Sequence, residues 1–152
     1  MNRKFRRYVE CLEEAQQKLI RMPPVKVSSL PASMPQKAIY LFSEARRHMY
    51  VGRTNRLRSR LQQHCQPSAT HYSATFAFLL ACEATGKKSS PGCSRSDLEK
   101  EPEFKHAFLD AKKRVRQMEV QYVEEADPIG QALLEIYVAV ALNTPYNDFE
   151  TH

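Results

Sequence analysis

The chain has 152 residues, 42% apolar and 26% charged, the make-up of an ordinary globule long enough to bury one core. No apolar run reaches the ~18 residues of a membrane span, and no secretory-type apolar segment follows the basic start Met1-Asn2-Arg3-Lys4, so the chain reads as cytoplasmic. Lys and Arg exceed Asp and Glu, 23 against 17, for a net charge of +6 and a pI near 9.2. Nucleic acid is a natural partner for that excess, and plain solubility charge explains it equally well.

Residues 2–21 read as an amphipathic helix, with Phe5, Val9, Leu12, Ala15 and Leu19 recurring at three- and four-residue steps. Pro23-Pro24 stops it, and residues 23–36, rich in proline and serine, form a connector. The helix has three outlets: packing on its own domain, pairing with a second copy in a homodimer, or contact with DNA. Ala38–Phe42 and His48–Gly52 are β-type runs separated by Glu44-Ala45-Arg46-Arg47, a hairpin pattern without the usual Asn-Gly or Asp-Gly turn. Arg56–Gln66 reads as helix with Thr54 or Asn55 as its cap, and Ser73–Ala84 as an apolar helix stopped by Gly86. Ser96-x-x-Glu99 has the form of a capping box, and a charged helix spans about 103–116. Met118, Val120 and Tyr122 alternate as a third strand, and Asp127-Pro128 opens a last helix that Pro145 ends. The fold class is therefore α+β, a small three-stranded antiparallel sheet flanked by helices.

Four cysteines, Cys11, Cys65, Cys82 and Cys93, contain no C-x-x-C pair, which argues against a zinc ribbon. Strand alternation puts Ala38, Tyr40 and Phe42 on one face, and His48, Tyr50 and Gly52 on one face of the next strand. Tyr40 and Tyr50 can then meet across the sheet. Taken alone, two tyrosines packed in a core explain that pattern better than chemistry does. Arg56, Arg60 and His64 fall at i, i+4 and i+8 on one helical face, beside an apolar stripe of Leu57 and Leu61. A guanidinium there suits a phosphate, and an imidazole suits proton transfer near neutral pH. Glu135 is the only strongly ionisable residue between Ala132 and Leu142. A carboxylate among aliphatics needs a counter-charge, either a metal ion or an arginine.

These residues, in this order, resemble the GIY-YIG endonuclease family. Ala38-Ile39-Tyr40 stands for Gly-Ile-Tyr and Tyr50-Val51-Gly52 for Tyr-Ile-Gly. Arg60 follows ten residues after Tyr50, and His64 four after that. Glu135 lies on a late helix, and Asn147 ends the stretch Asn143-Thr144-Pro145-Tyr146-Asn147. The resemblance spans about residues 37–149, with Ala38 and Val51 as its departures and residues 85–116 as an insertion of a loop and a helix. It implies a nuclease domain over 37–150 that hydrolyses phosphodiester bonds in DNA with Mg²⁺ (or Mn²⁺) held by Glu135. In that scheme Tyr40 is the general base, Tyr50 positions water or phosphate, Arg60 stabilises charge, and Asn147 orients the site. Arg53, Arg56, Arg60, Lys87, Lys88, Lys112 and Lys113 would supply the positive surface. The alternative is a nuclease fold that binds nucleic acid without cutting it.

Overall fold

The computed structural model describes residues 1–150, whose contacts cluster into two compact units, 1–58 with 119–150 and 59–118. The first unit holds the sheet. Its helix α1 covers Arg3–Arg21, opened by Asn2, whose side chain accepts from the Lys4 and Phe5 amides. At the other end, the amide of buried Gln121 donates to Ile20 O at 2.8 Å and to Met22 O at 2.7 Å. That satisfies carbonyls the helix end leaves open and ties α1 to the sheet.

Four strands, not three, make the sheet: β1 (Val25–Lys26), β2 (Ala38–Glu44), β3 (Arg47–Thr54) and β4 (Glu119–Glu124), in the antiparallel order β1-β4-β2-β3. The unexpected strand is two residues in the Pro/Ser connector, with Val25 opposite Val120. Two residues carry no periodicity, so composition alone marks that stretch as loop. Central β2 is buried on both faces from Ala38 to Ser43. Ile39 and Leu41 point one way and join Leu19, Val51, Leu134, Val138 and Ala139 in the core. Leu12 and Ala15 pack on that cluster. Packing on its own domain, one of the outlets open to α1, is seen. The last helix of this unit, α6 (Pro128–Leu142), is opened by Asp127, which accepts from the Ile129 and Gly130 amides. It closes at Asn143 with φ 52°, two residues before the proline expected to stop it.

The hairpin turns on two residues, Ala45 and Arg46, both with positive φ (50° and 64°). That is the twist-matched geometry for which Asn-Gly is preferred, and an alanine and an arginine occupy it under strain. The double substitution Ala45→Asn with Arg46→Gly should stabilise the fold by about 1 kcal/mol, a rise of roughly 2–4 °C in Tm. Thermal unfolding checks it, and a fall in Tm would mean that Arg46 makes compensating contacts. Beyond the turn, the register slips between Phe42 and Ser43, so that Met49 has no partner on β2. The bulge carries His48 to the face opposite Tyr50, contrary to simple alternation, and its Nδ1 lies 3.0 Å from Ser43 Oγ.

The second unit is helical: the end of α2 (Leu57–Gln63), then α3 (Thr75–Thr85), α4 (Arg95–Lys100) and α5 (Pro102–Arg116). Gly86, with φ 69°, ends α3. The capping box is Ser94 with Asp97 rather than Ser96 with Glu99, because both reciprocal bonds form there, at 3.1 and 2.9 Å. Phe78 of α3 packs against Phe104 and Phe108 of α5, with ring centroids 5.0 and 5.7 Å away. Among the described residues, no helix is long and apolar enough to cross a membrane.

Candidate active site

Tyr40 pairs with Gly52, and Phe42 with Tyr50, so the two tyrosines are diagonal neighbours on one face of the β2–β3 hairpin. Their rings lie 6.5 Å apart, tilted by 45°. Tyr40 stands on Gly52: a Cβ added there would fall on the phenol, against Cζ and the hydroxyl oxygen. The glycine is therefore needed for space, since its φ is not in the left-handed region. The two phenols differ in access. Tyr40 is 1% exposed, whereas Tyr50 is only half-buried. Tyr122 of β4 pairs with Tyr40 on the other side, a third phenol on this face that sequence reading treated only as a strand residue. Burial pushes its pKa up, against a smaller opposing pull from Arg58.

Glu135 of α6 meets the far end of β3. Its Oε2 lies 3.0 Å from Arg53 Nε. Arg53 has the parity of core residue Val51, so this ion pair lies on the α6 face of β3 and the tyrosines on the other. The pair looks stabilising by distance, yet the Glu135 pKa is raised, because burial outweighs the Arg53 charge and hydrogen bond. Burial wins because the Glu135 side chain is 23% exposed while that of Arg53 is 48% exposed and well screened. A further cation at this carboxylate would relieve the imbalance.

Among the described residues no three His, Cys, Asp or Glu side chains converge as a metal cage. A single carboxylate still fits Mg²⁺, which is commonly bound by one or two carboxylates, substrate phosphate and water rather than by an all-protein cage.

Asn147 is used twice by the β3 edge. Its Oδ1 accepts from Val51 N at 2.9 Å and its Nδ2 donates to Val51 O at 2.7 Å, while Thr144 Oγ1 donates to the same Oδ1 at 2.8 Å. Tyr146 N adds a bond to Met49 O at 3.3 Å. The C-terminal segment thus acts as a stub of fifth strand, satisfying an edge that would otherwise be open. Asn147 positions β3 between its tyrosine and its arginine. Thr144, which holds that amide, was not singled out from the sequence; its closeness to Asn147 was the only signal.

In the helical unit, Arg60 Nη1 donates to Ser73 O at 2.8 Å. His64 does not stay on a solvated face with Arg56 and Arg60. The helix ends at Gln63, and the imidazole is fully buried. Burial, helped by the Arg60 charge, holds its pKa well below the usual range, so it is neutral at pH 7. Lys112 does not offer its charge to a surface either. It is 4% exposed, its ammonium donates to Pro67 O and Ala69 O, and it sits 3.9 Å over the Phe108 ring. Lys87 bonds Glu101 and Glu103 at 2.8 and 3.2 Å. Arg56, Lys88 and Lys113 are exposed.

A family model described as the GIY-YIG catalytic domain matches residues 36–147. No match is found among curated proteins or among solved structures. The matched stretch runs from just before the first tyrosine to the asparagine that braces β3 and covers most of the chain, which therefore belongs to the GIY-YIG family, whose members are generally endonucleases.

Proposed function

We propose that the chain is a divalent-cation-dependent endonuclease that hydrolyses phosphodiester bonds in DNA, and that Tyr50, rather than Tyr40, is its general base. The observation carrying this is the contrast between the two phenols: Tyr40 is sealed over Gly52, while Tyr50 is half open on edge strand β3, whose Arg53 pairs with Glu135 of α6. A base must reach water, and a phenol 1% exposed does not. Tyr40 becomes the packing partner that fixes the Tyr50 ring.

Glu135 would hold the cation, which supplies stabilisation of charge on the scissile phosphate and the leaving oxygen. Arg53 keeps the carboxylate oriented and adds positive potential. Arg60 keeps, from its offset in the sequence, the role of stabilising charge on the non-bridging oxygens; it retains N–H donors beyond the one given to Ser73. His64, buried and neutral, is assigned to structure rather than proton transfer. A free phenol ionises near pH ~10, so Tyr50 first loses its own proton to bulk water, aided by nearby cations, and the phenolate then takes the proton of the attacking water as the new P–O bond forms. Asn147 braces β3, which carries Tyr50 and Arg53 on opposite faces.

Cleavage of labelled oligonucleotides and plasmid in Mg²⁺ tests the assignment. Tyr50→Phe should lower the cleavage rate by roughly 10²–10⁴-fold, and Tyr40→Phe by far less. The reverse order would return the base to Tyr40. If the wild-type chain binds DNA and cuts none of the substrates, the non-catalytic binding module takes over.

A further inference from the structure

The helical unit has an open recess of about 470 Å³, lined by His71, Tyr72, Thr75, Ser94, Arg95 and Ser96. Its size falls within the range of small-ligand clefts, roughly 300–1,000 Å³. Tyr72 is 80% exposed, the most exposed large apolar side chain among the described residues. Its ring is not loose: it stacks on His71, with centroids 4.0 Å apart and planes tilted by 39°. His71 is itself fixed, because its buried imidazole places Nδ1 2.5 Å from Glu99 Oε2, and its other flank meets the Phe78 ring at 5.8 Å. A solvent-facing aromatic on a rigid support is the form of a stacking platform.

The rim has the complementary chemistry. Arg95 sits with its guanidinium 5.3 Å from the Phe78 centroid; of the three hydroxyls on the lining, Thr75 Oγ1 donates to His71 O and Ser94 Oγ accepts from Asp97 N, which leaves Ser96 to a ligand. Both nearby carboxylates are engaged: Asp97 accepts from Ser94 N, and Glu99 contacts His71. We infer that this recess binds an unpaired nucleotide, its base stacked on Tyr72 and its phosphate on Arg95 and Ser96. In a duplex both faces of every base are covered by neighbours, so a protein ring gains a base face only at a single strand or a displaced nucleotide. The inference deepens the nuclease reading and rests on it for the identity of the polymer. It names the substrate class as DNA carrying unpaired nucleotides, such as a flap, gap or branch.

Binding of the full chain to fluorescent oligonucleotides in EDTA tests this, with anisotropy as readout and a flapped duplex compared with a flush duplex of equal length. Wild type should prefer the flap. Tyr72→Ala should weaken flap binding about tenfold or more and leave flush-duplex binding unchanged, while Tyr72→Phe, which keeps the ring, should bind as wild type does. Arg95→Ala should weaken flap binding and reduce the slope of log affinity against log salt by about one. Flap binding indifferent to Tyr72→Ala, or flap and duplex weakened alike, overturns the inference. Cleavage with Mg²⁺ by the same preparations separates the two readings. A chain that cuts flush duplex with no role for Tyr72 keeps the nuclease and loses the recess. One that cuts nothing, yet discriminates flaps through Tyr72, does the opposite.

Discussion

Gly52→Ala should destabilise the fold by about 3 kcal/mol, the upper part of the usual cost of overpacking a core. For a domain of this length that is a fall of roughly 6–12 °C in Tm. The sign is the reverse of the ordinary expectation. Gly52 has no left-handed φ, and alanine in a strand interior normally stabilises relative to glycine by roughly 0.5–1 kcal/mol. Here the new Cβ would fall on the Tyr40 phenol, which is buried and cannot swing away to solvent. Either the ring leaves its rotamer or the paired strands part at Tyr40–Gly52. A double-mutant cycle isolates the cause. In a Tyr40→Leu background the flat ring is gone, and Gly52→Ala should cost less than half as much. Equal cost in both backgrounds would rule out the tyrosine as the reason for the glycine. Cleavage should fall as well, because displacing Tyr40 moves Tyr50, whose ring it contacts.

Much of this was legible in the chain, for reasons that differ by residue. The tyrosine hairpin was readable because β2 and β3 are long enough to show apolar runs, and alternation survives from Tyr50 to Thr54. It fails only at His48, where the bulge at Met49 adds a residue, and no sequence period records a bulge. Helix α6 was placed by its cap, Asp127, and α1 by its apolar period and the Pro23-Pro24 stop, since both kinds of signal are local. Strand β1 was invisible because its two residues owe their extended pairing to β4, a partner more than ninety positions away. The same distinction runs through the candidate site. The carboxylate of Glu135 drew attention by its isolation among aliphatics, a local signal, and its pairing with an arginine was one of the alternatives that isolation left open. Which phenol is sealed, and whether His64 faces water or core, are set by tertiary burial. Offset alone put Arg60 and His64 on one solvated face, and the helix ended a residue too soon for that. Lys112 was counted as surface charge because lysines usually are; its ammonium instead closes two carbonyls of the loop before α3.

Glu135→Gln should abolish function while improving the fold, and that pairing of effects distinguishes a site carboxylate from a structural one. Cleavage should drop by ~10²–10³-fold, the loss seen when one group that stabilises transition-state charge is removed. Stability at pH 7, measured without divalent cation, should rise. The carboxyl pKa is raised by burial, so the folded state favours the protonated form. Its contribution to stability is full below the unfolded pKa and is lost as pH rises through the folded pKa. Above that point the ionised group is a standing cost, only partly offset by Arg53 at 3.0 Å. Glutamine keeps the shape, accepts a hydrogen bond from the guanidinium and never ionises. The Tm difference between variant and wild type should therefore be near zero under acid conditions and grow as pH rises through the folded pKa of Glu135. Adding Mg²⁺ should raise the wild-type Tm at neutral pH and leave that of the variant unchanged, since only the carboxylate offers the ion an anionic ligand. A variant less stable than wild type at pH 7 would show that the Arg53 ion pair outweighs burial. Glu135 would then be a structural partner of β3, and the cation site would have to be sought elsewhere.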